Sequence, residues 1–80
     1  MKKIFNYLEK LGIDEAIVDF KKKKVINFSA MDSDGNQIPI RTDIKEAIIA
    51  SAENLLTNTA KLSTVRVYPQ DAKITSEIFF

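Results

Sequence analysis

Between residues 16 and 41 the apolar side chains fall on alternate positions. Val18, Phe20, Ile26, Phe28, Ala30, Ile38 and Ile40 take the even numbers, while Asp19, Lys21, Lys23, Asn27, Ser29, Pro39 and Arg41 take the odd ones. Ile17, Val25 and Met31 are the exceptions. Successive side chains of a strand point to opposite faces, so a period of two kept over three segments predicts strands that share one buried face. A chain built on that pattern needs an antiparallel sheet with something apolar to cover it.

The turns between these segments agree with the pattern. Ser33-Asp34-Gly35 suits a three-residue hairpin loop with glycine in the left-handed region. That loop pairs Asp32 with Asn36, Ala30 with Ile38 and Phe28 with Ile40, which keeps the even face continuous. Pro39 has no amide to donate, so the third strand is expected at an edge. Lys21, Lys22, Lys23 and Lys24 form the tip of the preceding hairpin, with Phe20 opposite Ile26 and Val18 opposite Phe28. The rival reading for this stretch is a helix from Asp14, with Ile13, Ile17 and Phe20 at helical spacing.

Helical periodicity appears on both sides of this block. Ile4, Leu8 and Leu11, with Phe5 beside them, recur at i, i+4 and i+7, and Gly12 follows as a stop. Nine or so residues do not hold a helix alone, so this one must dock. A second helix starts near Asp43, where Asp43 and Glu46 have capping-box spacing. Ile44, Ile48, Ser51, Ala52 and Leu55 line one face, flanked by Ile49 and Leu56, and Asn58 is the expected stop. Leu62 to Tyr68 reads as a strand with Val65 and Val67 inward. Residues 73–80 fit a strand carrying Ile74, Ile78 and Phe80 on one face, and equally a helix capped at Asp71. The expectation is a single α+β domain over residues 1–80. It has one antiparallel sheet with two helices packed on one face, in the order α-β-β-β-α-β-(β).

Composition narrows the chemistry. The 80 residues contain no Cys and no His, so disulfides, imidazole bases and the usual zinc or haem ligands are unavailable to them. With two glycines there is no phosphate-cradling loop, and no nucleophile–base spacing stands out. The expectation is a protein that is not an enzyme and takes no cofactor. Asp32-Ser33-Asp34-Gly35-Asn36 has a calcium-loop flavour. Aligning Gly35 with the invariant EF-hand glycine, however, puts Ala30 and Arg41 where carboxylates are required, so a hairpin turn and no metal are expected. Apolar runs end at Glu9 and Glu53, short of the roughly 20 residues of a membrane span or of a secretory core, which predicts a cytoplasmic protein with no membrane partner.

The order α-β-β-β-α resembles that of the double-stranded RNA-binding domain, with residues 35–56 over its third strand and second helix. That family opens the helix with lysines for phosphate. Here Arg41-Thr42-Asp43-Ile44-Lys45-Glu46 mixes both signs, and a carboxylate stands where a phosphate would sit. The resemblance is one of element order.

Two candidate surfaces remain. The net charge of +1 is too even for a dedicated nucleic-acid binder. Lys21, Lys22, Lys23 and Lys24 nevertheless form the one basic cluster, and with the first helix they are the candidate nucleic-acid contact. Ile78, Phe79 and Phe80 are the candidate protein interface, because a strand cannot turn Phe79 and Phe80 to the same side. The favoured expectation is a small self-associating protein-binding module, a homodimer, of the kind phages and mobile elements encode as inhibitors or regulators. Nucleic-acid binding through the four lysines is the alternative.

Overall fold

A computed structural model describes residues 2–22, 24–56 and 62–79, with the side chains of 77–79 excepted. Its elements are α1 (Lys2–Lys10), β1 (Glu15–Lys21), β2 (Lys24–Met31), α2 (Thr42–Glu53), β3 (Leu62–Tyr68) and β4 (Lys73–Phe79), with a 3-10 turn at Pro69–Asp71 before β4. The four strands form one antiparallel sheet in the order β2-β1-β3-β4, an α+β fold. Both β2 and β3 run antiparallel to β1, so they run parallel to each other, and α2 carries the chain across between them.

α1 ends as its sequence predicts. Gly12 takes φ +79°, its amide reaches Glu9 O at 2.9 Å, and Ile13 N reaches Leu8 O at 3.0 Å. This pair of bonds closes the last turn, and Leu8 and Ile13 join the same buried cluster. The chain then enters β1 at Glu15, so alternation prevails over the helical spacing of Ile13, Ile17 and Phe20.

The β1–β2 register begins as expected and then slips. Val18 faces Phe28 and Ala16 faces Ala30, but Phe20 faces Val25 in place of Ile26. The cause is the turn. Lys21 pairs with Lys24, which leaves a two-residue connection and needs a positive φ, taken by Lys22 at +53°. A two-residue turn shifts the pairing by one, and a β-bulge at Ile26 restores the even face beyond it. Ile26 is consequently 57% exposed, a correction to its expected burial.

The third strand shrinks to a single bridge, Met31 to Gln37. The hairpin loop itself is as expected: Asp32 N donates to Asn36 O at 3.0 Å, Ile38 N to Ala30 O at 2.8 Å, and Gly35 takes φ +83°. Past Ile38 the chain leaves β2. Ile38 keeps its bond to Ala30, but Ile40 packs against the core outside any strand, so side-chain burial replaces the expected Phe28–Ile40 pairing. The element order is therefore α-β-β-α-β-β, and the likeness to the double-stranded RNA-binding domain does not hold.

The loop is tied by one carboxylate. Asp32 Oδ1 accepts from the amides of Asp34 and Asn36, each at 2.9 Å, and Oδ2 from the Asn36 side chain at 3.3 Å. The Asn36 amide, with help from the Asn36 side chain and the amides of Asp34 and Gly35, holds the Asp32 carboxyl below its ordinary range. A carboxyl lowered on folding stabilises above its unfolded pKa of about 4, and that contribution fades as pH falls through the folded value. Asp32→Ala should therefore lower the melting temperature by more at pH 7 than at pH 2. An equal gap at both pH values would remove the carboxylate from the account.

α2 is entered differently from its sequence signal. Arg41 is the residue before the first turn and Asp43 lies inside it, with no side-chain cap. The Asp43 carboxylate binds Arg41 at 3.1 Å (Nε) and 2.6 Å (Nη2), so the expected capping box gives way to an ion pair beside the helix start. Ile48 and Ala52 of α2 and Leu8 of α1 belong to one buried cluster with Ala16, Val18, Phe20, Val65 and Val67.

β4 settles the open alternative for residues 73–79. Ile74 faces Val67, Ser76 faces Val65 and Ile78 faces Ser63. Thr75, Glu77 and Phe79 take the register positions of Arg66, Thr64 and Leu62.

Candidate functional site

The sheet has two edges, and they differ in their cover. The side to which each backbone group points follows from one bond. Ile38 N reaches Ala30 O from outside the sheet, so beyond the bulge Phe28 and Ala30 point their backbone groups outward while Asn27, Ser29 and Met31 point to β1. Carried through the registers, even residues of β1 point to β3, even residues of β3 point to β4, and odd residues of β4 point back. Ile74, Ser76 and Ile78 are left with their amides and carbonyls facing away from β3.

The β2 edge is managed. Asn36 and Ile38 close the end at Ala30 and Asp32, while the other end carries Lys21, Lys22 and Lys24, all exposed. Lysines at an edge discourage pairing with another strand. Between these ends lies a cleft of about 230 Å³ by Phe28, Pro39, Ile40 and Lys45, with the Lys45 Nζ 5.3 Å from the centre of the Phe28 ring. At β4 no strand lies beyond Ile74, Ser76 and Ile78 among the described residues, and its charges are Lys73 at one end and Glu77.

The face of the sheet that carries the odd residues of β1 is polar. Thr64 Oγ1 donates to Asp19 Oδ1 at 2.7 Å, Asn27 Nδ2 donates to Asp19 Oδ2 at 3.2 Å, and Arg66 meets Glu15 at 3.5 Å. Toward the hairpin tip this face turns apolar. Ile26 and Leu62, the latter 47% exposed, flank Asp19 and Thr64 around a concavity of about 350 Å³. Ser63 also borders it, and its buried Oγ has no hydrogen-bond partner among the described residues. Alternation puts that hydroxyl on the Val65 and Val67 side of the sheet, away from the walls formed by Leu62 and Thr64.

The sequence-derived candidates are thus distributed over both edges. Ile78 and Phe79 stand on β4 with Ile78 on its outward register, while their side chains, and all of Phe80, lie outside the described residues. Lys21, Lys22 and Lys24 sit at the β1–β2 turn, and Lys23 lies outside the described residues. Ser76 and the Ile26–Leu62 pair were missed. Edge position depends on strand order, and Ile26 is exposed by a bulge, so neither carries a local signal. Among the described residues no three carboxylates gather in a metal-binding group, and no helix is long and apolar enough to cross a membrane. Comparison with protein-family models, curated proteins and solved structures finds no match.

Proposed function

We propose that this chain is a small non-enzymatic protein-binding module that self-associates through the open edge of β4, and that it works as a regulator or inhibitor by binding. The observation that carries this reading is the unequal treatment of the two edges. One is closed at one end by a returning segment and carries lysines at the other. The second presents three successive outward backbone positions, Ile74, Ser76 and Ile78, with no strand beyond them among the described residues. An uncovered edge is a template for another strand. A second copy is the partner always at hand, and a two-fold pair uses the same patch twice.

Ser76→Pro tests this reading. The Ser76 amide points away from β3, so proline removes no bond of the β3–β4 ladder and takes away a donor at the middle of the open edge. Light scattering should give a dimer for the wild type and a monomer for Ser76→Pro, with the far-UV circular dichroism retained. A monomeric wild type, or a variant that stays dimeric, would overturn the reading.

A further inference from the structure

The outward positions of β4 also fix how two copies would meet. We propose that β4 pairs with β4 of a second copy, antiparallel, about a two-fold axis through Ser76, giving one continuous eight-stranded sheet; this rests on the self-association reading above. Ser76 is the midpoint of Lys73–Phe79, so this register overlaps the whole strand. It sets Ser76 against Ser76 and Ile74 against Ile78 of the second copy, twice. Each of these pairs consists of outward-pointing residues, which exchange both backbone hydrogen bonds. Centring on Thr75 instead sets Ile74 against Ser76 and runs Ile78 onto Ala72, whose φ of +48° lies outside the strand. One pair of bonded positions is lost in that arrangement.

The order of residues along the strand agrees with this pairing. Ile74 is half-buried against the core at the register position of Val67, and the Ser76 axis sets it opposite the register position of Ile78 of the second copy, which pairs with Ser63. In the same register Thr75 falls opposite Glu77 and Lys73 opposite Phe79, so the sequence sets no like charges at opposed positions. A continuous sheet keeps the buried sides of both copies on one side. The symmetry and the hydrophobic alternation are satisfied together.

The chain has no cysteine, which makes a cross-linking test clean. Opposed residues that exchange hydrogen bonds have Cα atoms about 5.5 Å apart, within the disulfide range. Under mild oxidation Ser76→Cys should form a covalent dimer that collapses to monomer with reductant, while Thr75→Cys should cross-link at least tenfold more slowly. Dimers by light scattering whose cross-linking favours Thr75→Cys, or shows no preference, would overturn the register and leave self-association standing. A monomeric wild type would overturn both. If Ser76→Cys does not fold, amide exchange on the wild type decides. Raising protein concentration should slow exchange at Ile78 together with Ile74 and Ser76. Fast, concentration-independent exchange at Ile78 would overturn the Ser76 axis.

Discussion

Phe20→Ala should leave the protein close to unfolded at 25 °C, while Ile26→Ala on the neighbouring strand should be nearly silent. Phe20 is fully buried on the inner strand β1, near its hairpin end, between Val25 of β2 and Ser63 of β3, and is the largest fully buried side chain among the described residues. Truncating a buried phenylalanine costs about 3–5 kcal/mol. At about 0.05–0.15 kcal/mol per residue, a chain of this size has roughly 4–12 kcal/mol in total, so one such loss removes much of it. Ile26 sits in the bulge and keeps more than half of its surface in water. Its truncation should stay within about 0.5 kcal/mol. Urea denaturation of the two variants checks the contrast, and a cost for Ile26→Ala comparable to that of Phe20→Ala would put Ile26 in the core and remove the bulge.

This pair of residues also shows where a linear reading stops. Alternation placed Phe20, Val18 and Ala30 inward because a pleated strand imposes that period wherever one face is buried. It placed Ile26 inward as well, because the bulge depends on the length of the turn through Lys22, and no glycine or asparagine marks that turn. The loop at Asp32 was legible, since Gly35 and the Asp32 side chain act within five residues. The segment after Ile38 was not. Whether Ile40 stays beside Phe28 or drops onto the core is decided by how the core and α2 accommodate it, and these lie elsewhere in the sequence. Residues 73–79 were ambiguous for a simpler reason. Ile74 and Ile78 are four apart, a spacing that satisfies both a helix and a strand face. The candidate site was the least legible part, because an edge exists only once the strands are ordered.

Leu8→Ala should detach α1 and cost about 2–5 kcal/mol, an effect second only to that of Phe20. Nine residues hold too few internal hydrogen bonds to stay helical by themselves, so α1 persists through its docking. Leu8 is its one fully buried residue, with Ile4, Phe5 and Tyr7 only partly covered. The same side chain anchors the end of the helix, because the Leu8 carbonyl receives the Ile13 amide and Leu8 and Ile13 are buried together. Losing the leucine opens a cavity beside Ile13 and weakens the turn that aims the chain into β1. Leu11 shares the helical spacing of Ile4 and Leu8, yet it lies just past the last turn and is 37% exposed. Leu11→Ala should therefore stay within about 0.5 kcal/mol. Amide exchange separates the two: Leu8→Ala should speed exchange in the last turn of α1 and at Ile13 well beyond the change at the β1 amides. Uniform acceleration across the sheet would mean that α1 and the sheet unfold as one unit, and the docked-helix account would fail.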